Sequence, residues 1–138
     1  MKKRLLLLAL LLAAMGAAVG LYFYRQKVPS MATQKADLTL SAAELFAAFE
    51  TDEAAANARY LGKILMVKGQ VREANTLADG TVKVVLNAGR DFGVLCEFDP
   101  NTQHPRTTFQ PGENITVKGE CAGLNFDVLL ARCVVVEE

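Results

Sequence analysis

Two stretches decide the fold: ILMVKGQV, Ile64 to Val71, and NITVKGEC, Asn114 to Cys121. They share the run Val-Lys-Gly-polar-apolar, and Gly69 and Gly119 hold the same place in it. Alternating apolar and polar residues rich in β-branched types mark both as strands. A glycine inside a strand weakens it unless the chain must bend there or be closely approached. A small closed barrel needs such places, so that one strand can serve two sides of the sheet.

The same period recurs from Lys63 to the C-terminus, and strands are expected at Ile64–Ala74, Thr81–Asn87, Phe92–Phe98, Asn114–Cys121 and Asp127–Val136. Ala78-Asp79-Gly80, Ala88-Gly89-Arg90-Asp91 and Gly123-Leu124-Asn125 supply the turns between them. Upstream, Ser41 and Glu44 have the spacing of a capping box, and Leu45, Phe46 and Phe49 recur at helical intervals. A second helical stretch follows over DEAAANARY, capped by Thr51 or Asp52 and stopped at Gly62. Val28 to Asp37 mixes Pro, Ser, Thr, Gln and Ala without apolar period and reads as a tether. The resulting division is a leader over 1–27, a tether over 28–40 and a folded domain over 41–138.

Lys2, Lys3 and Arg4 precede an uncharged run from Leu5 to Tyr24, long enough at about 1.5 Å per residue to cross a hydrocarbon core of roughly 30 Å. Basic residues are denser before this run than after it, where only Arg25 and Lys27 stand, so the positive-inside rule places the domain outside the cytoplasm. Small residues at Gly16 and Ala18 leave open a cleaved signal peptide. Apolar character resuming through Leu21 to Tyr24, with tyrosines beside Arg25, favours an uncleaved single-pass anchor and a periplasmic domain.

The formal charge of zero hides an asymmetry: five of the 15 basic residues lie in the leader, leaving ten against 15 acids from Val28 onward. An acidic domain without a basic stripe repels a phosphate backbone, which argues against nucleic acid as partner.

Taken together, the helix AAELFAAFETDEAAANARYLGK (Ala42 to Lys63), VKGQV, FGVLCEF (Phe92 to Phe98), VKGECAG (Val117 to Gly123) and VLLARC (Val128 to Cys133) resemble the tRNA-anti-like family of small bacterial OB-fold proteins. The resemblance implies a mainly β fold: a five-stranded Greek-key OB-fold barrel preceded by one or two short helices, behind a membrane leader. The helix usual between the third and fourth strands has only Asp99 to Gly112 available, and Pro100, Pro105 and Pro111 point to a short turn instead.

OB folds bind ligands on the face of the second and third barrel strands and with the loops after the first and fourth. Val82, Val84 and Leu86 form the expected core face of the second strand, with Thr81, Lys83 and Val85 outward. In the third strand Phe92, Val94, Cys96 and Phe98 are assigned to the core, with Gly93, Leu95 and Glu97 outward. Candidate ligand contacts are therefore Lys83 and Leu95 on the face, Asn75 after the first strand, and Asn125 and Phe126 after the fourth, the two loops being placed near one end of the barrel.

No acid, base and nucleophile converge in the sequence, and the single histidine, His104, sits in a Pro-rich connection as a solvated loop residue, so no catalytic residue is assigned. Cys96, Cys121 and Cys133 lack metal-ligand spacing, and neither metal nor cofactor is expected. Outside the cytoplasm one disulfide is expected. Because the OB order puts the last strand between the third and fourth, Cys133 has a neighbour on either side, and the pairing favoured is Cys121 with Cys133.

Three functional readings follow. The first is a non-enzymatic, membrane-anchored binding module for a small ligand, glycan or protein. The second is a single-stranded nucleic-acid binder. The third is an envelope structural or protein-interaction module using outward Val85 and Leu95 as an apolar patch.

Overall fold

The computed structural model describes residues 1–26 and 29–137. The chain opens with a long apolar helix, α1 (Lys2–Arg25), of mean hydropathy 2.4 and with no buried residue, long enough to cross a membrane. A short strand, β1 (Leu38–Ser41), and two helices, α2 (Ala42–Thr51) and α3 (Glu53–Tyr60), precede the barrel strands β2 (Ile64–Thr76), β3 (Val82–Asn87), β4 (Val94–Phe98), β5 (Asn114–Asn125) and β6 (Asp127–Val136). The sheet order is β1-β2-β3-β4-β6-β5, and β2 also pairs with β5, which closes β2 to β6 into a five-stranded barrel. This is the OB-fold arrangement with one extra strand.

Closure depends on β2 serving two partners. Its first half, Ile64 to Gln70, runs antiparallel to β5, and its second half, Gln70 to Thr76, runs antiparallel to β3. The two Val-Lys-Gly runs lie against each other in this pairing, Val67 opposite Val117 and Leu65 opposite Gly119. Gly119 sits where a side chain has no room, and Gly69 where one enters only if its neighbours give way. A methyl on Gly69 would stand 3.1 Å from the Cβ atoms of Ala42 and Leu86, and one on Gly119 would stand 2.5 Å from Cys133 Sγ.

The capping box forms as the sequence requires: Glu44 N–H donates to Ser41 Oγ, and Ser41 N–H donates to Glu44 Oε2. Asp52 caps α3 by accepting from Ala55 N–H at 3.1 Å. Leu45, Phe46 and Phe49 of α2 are buried, and α2 packs against β2, β3, β4 and β6, which seats it across the barrel interior. Helix and barrel share one core.

The expected tether is largely folded structure. Leu38 to Ser41 pair in parallel with Leu65 to Lys68, on the edge of β2 that β3 leaves uncovered. Asp37 fixes this junction, its N–H donating to the Ile64 carbonyl at 2.7 Å and its Oδ2 accepting from Ile64 N–H at 2.9 Å. Ahead of it, Met31–Thr33 form one 3₁₀ turn, with Met31 fully buried. The domain therefore includes residues that a polar, period-free composition assigns to a linker. Val28 of that expected tether, with Lys27 at the end of the expected leader, lies outside the described residues.

The connection from Asp99 to Glu113 carries no helix, as its prolines dictate. It is nonetheless packed. Phe109 is buried with its ring 5.4 Å from that of Phe98, and the Arg106 guanidinium lies 4.8 Å over Phe109. His104 is half-buried rather than solvated, its ring edge-on to Phe98 at 5.2 Å and its Nε2 donating to the Asp99 carbonyl at 2.7 Å. Arg106 bridges Glu113 and Glu137, pairing with the latter at 2.9 Å.

The hydrogen bond from Arg106, helped by the Gln110 N–H, holds the Glu113 carboxyl below its ordinary value. A depressed folded-state value stabilises the protein above the ordinary carboxylate range, and this contribution is lost as pH falls through the lower folded value. Glu113→Gln is therefore expected to lower stability slightly at neutral pH and to leave it unchanged at strongly acidic pH. Urea melts of both proteins across the acid range check this; a difference that stays constant with pH would contradict it.

Candidate functional site

Asn125 pairs with Asp127, so the β5–β6 hairpin closes through a single residue, Phe126, with φ 61°. A bulky residue in this left-handed region costs roughly 1–2 kcal/mol. The sequence turn Gly123-Leu124-Asn125 is thus misplaced. Gly123, with φ 102°, instead follows a bulge at Ala122 inside β5, and the strand runs on to Asn125. The effect is to carry an aromatic ring to the tip of the hairpin, where Phe126 is 74% exposed.

The tip is braced against the β3–β4 loop. Asp127 Oδ1 accepts from Gly93 N–H at 2.7 Å, and Val128 N–H donates to the Gly93 carbonyl at 3.0 Å. Arg72 joins the two, with Nη2 at 3.8 Å from Asp127 and Nη1 donating to the Asp91 carbonyl at 2.9 Å. Arg72 is the unpaired residue of a bulge between Val71 and Glu73. A residue that breaks the period-two pattern of β2 is the available signal for it; by sequence Arg72 reads as one of several scattered surface cations, and neither it nor Asp127 is among the expected contacts.

Held this way, Phe126 lies over Phe92, with ring centroids 5.5 Å apart. Phe92 was expected in the core and is instead 44% exposed. β4 begins only at Val94, so the in-out alternation that assigns Val94, Cys96 and Phe98 correctly to the interior does not extend back through Gly93 to Phe92. A recess of about 380 Å³ lined by Phe46, Glu50, Arg90, Asp91 and Phe92 adjoins the pair. A larger recess, about 660 Å³, lies near Lys68, Arg106, Asn114 and Glu137, but it offers no aromatic surface and Arg106 is already engaged by two carboxylates.

The remaining candidates form a face running away from the aromatic pair. Asn75, Lys83 and Glu97 make one outward row across β2, β3 and β4, with Lys83 Nζ 3.4 Å from Glu97. The next row is Glu73, Val85, Leu95 and Leu129. Val85, expected outward and open, is only 6% exposed between these neighbours, and Leu95 is half-buried. The apolar patch they were expected to offer is small. Thr81, also expected outward, is buried in the β2–β3 turn, where its N–H donates to Asp79 Oδ1 and holds that carboxyl below its ordinary value. The loop after β2 and the hairpin tip stand at opposite ends of this face, not at one end. β4 pairs with β3 at its Lys83 end through Glu97 and meets the hairpin through Gly93.

The cysteines lie apart from this face. All three are free thiols and buried, so the expected Cys121–Cys133 link is not present. The thiol beside Cys133 is Cys96: burial, then the neighbouring Cys96, pushes Cys133 well above the ordinary thiol value. The cause is a bulge. Cys96 pairs with Leu130 but Phe98 with Cys133, so Ala131 and Arg132 stand opposite the single Glu97, and Arg132 at φ 55° turns Cys133 inward next to β4. Burial likewise raises Cys121. Among the described residues no three His, Cys, Asp or Glu side chains come together as metal ligands.

Residues 1–135 match the sequence model of the family described as tRNA_anti-like, a span that takes in α1 as well as the barrel. The chain belongs to the tRNA_anti-like family. No curated protein matches it. Among solved structures, this tRNA_anti-like protein is similar to a candidate nucleic acid-binding lipoprotein from Klebsiella pneumoniae subsp. pneumoniae MGH 78578, with TM-score 0.58 and 20% identity over 72% of this chain and 91% of that one. At that identity the likeness concerns the fold.

Proposed function

We propose that this protein is a non-enzymatic binding module, anchored by α1 with its barrel on the periplasmic side, and that it takes a ring-bearing ligand of the glycan class across β3 and β4. The observation that carries the reading is the exposed Phe92–Phe126 pair. Two apolar rings held open to solvent, one at a strained backbone position, cost stability and earn no core contact in return. A flat apolar ring stacked on them recovers that burial. Lys83, Asn75 and Asn125 supply polar contacts along the same face, and Leu95 lines its middle.

Single-stranded nucleic acid is the second reading. An exposed aromatic platform suits base stacking, and the Klebsiella protein of the same fold carries that description. Against it stand the excess of acids over bases from Val28 onward and the pairing of Lys83 with Glu97, Arg90 with Glu50 and Arg72 with Asp127. Phosphate neutralisation needs free cations, and these three beside the proposed site are engaged.

Phe126→Gly separates site from scaffold. Glycine relieves the left-handed backbone while losing the ring pair, worth roughly 0.5–1.5 kcal/mol, so stability is expected to stay within about 1 kcal/mol of the parent. Ligand affinity is expected to drop about tenfold or more, the scale of one lost aromatic stack. Titration of the full chain in detergent against cell-wall oligosaccharides and a labelled oligonucleotide reads the result. Unchanged affinity for every ligand that the parent binds would remove the aromatic pair from the site. A salt-dependent response to the oligonucleotide alone would favour the second reading.

A further inference from the structure

We propose that residues Pro29 to Gln34 form a strap that holds the β5–β6 side of the barrel against the lipid surface, so that the β3 face is turned toward the compartment. The inference rests on the reading of α1 as an uncleaved membrane anchor.

Three residues, Gln26 to Val28, separate the end of α1 at Arg25 from Pro29. Fully extended, they allow roughly 14 Å between the two ends. Pro29 is itself tied to the barrel: Arg132 Nη2 of β6 donates to its carbonyl at 2.6 Å. The segment then crosses onto β5, where Lys118 Nζ donates to the carbonyls of Ala32 at 3.1 Å and Gln34 at 2.7 Å.

The contact is apolar as well as polar. Lys118 pairs with Val134 on the outward side of β5 and β6, yet both are buried, at 8% and 4% exposure, and Met31 above them is at 0%. Complete burial of such an apolar side chain is a stabilising contact that a loose tether would forgo. The equivalent lysine of the other Val-Lys-Gly run, Lys68, is exposed. Burial of Lys118 is therefore a property of the strap and not of the motif.

Barrel topology converts this short leash into an orientation. In the closed order β2-β3-β4-β6-β5 the strand farthest from the β5–β6 seam is β3. For a domain of about 100 residues the radius of gyration is about 13 Å, so the far side lies on the order of 25 Å beyond the strapped side. The β5–β6 side is within reach of lipid headgroups while the β3 face is not.

The chain contains no tryptophan, so a single introduced indole reports its own surroundings. Full-length Glu120→Trp, beside Arg132 on the strapped side, and Asn75→Trp, on the far face, are reconstituted in phosphatidylcholine vesicles carrying a headgroup spin-labelled quencher. Emission from position 120 is expected to be strongly quenched and that from position 75 nearly untouched. Lys118→Met, which frees the strap, is expected to erase the difference. Equal quenching at both positions in the parent background, stronger quenching at position 75, or a difference that survives Lys118→Met in a folded protein each overturns the proposal. Absence of quenching in protein that still floats with the vesicles overturns it too. Protein that fails to float at all instead removes the anchor reading beneath it.

Discussion

Replacing Gly93 with alanine is expected to cost the barrel about 3 kcal/mol, at the upper end of what one added methyl does in a packed site. The new Cβ would overlap the backbone carbonyl of Leu86, a group that cannot rotate away as a side-chain end would. Leu86 faces Val94 in the β3–β4 ladder, while Gly93 donates to Asp127 and accepts from Val128. Relief therefore has to come from parting β3 and β4 or from breaking the brace of the β5–β6 hairpin. Urea denaturation measures the loss. A change below about 1 kcal/mol would show that the loop yields freely and that the brace does not fix the hairpin. The same variant is expected to shift Phe92 away from Phe126, so stability and any ligand affinity should fall together, unlike in Phe126→Gly.

Phe49→Ala is expected to cost about 3–5 kcal/mol, the range for emptying a buried aromatic site. Phe49 is 1% exposed, packs 6.2 Å from the ring of Tyr60, and comes from α2, a helix outside the barrel strands. If helix and barrel form one cooperative unit, the whole sigmoid moves to lower urea with its slope unchanged. Separate loss of helical signal ahead of barrel signal would show that α2 and α3 are an appendage. Burial of Leu45, Phe46 and Tyr60 in the same core as Val84, Phe98 and Leu130 is the reason to expect one transition.

The candidate site was legible only in part. Phe126 was found because an apolar ring between turn residues is conspicuous in any reading of the chain. Phe92 was missed because its spacing from Val94 and Phe98 fits the core face of a strand. The strand, however, stops at Val94, and the residue before it obeys the loop. Arg72 and Asp127 carry no motif; their role exists only once the β2 bulge and the β4 entry are side by side.

The sequence by itself determined the apolar leader, the capping box at Ser41, the five barrel strands and the two glycines on which closure depends, because each is written in local period, cap chemistry or the steric need of a single residue. Tertiary structure alone decided that LTLS becomes a sixth strand, that one of two like-placed lysines is buried, that Cys133 sits by Cys96, and that two phenylalanines meet in the open. Each of these depends on which distant backbone arrives as a neighbour, and on bulges at Arg72, Ala122 and Arg132 that reset which way a side chain points.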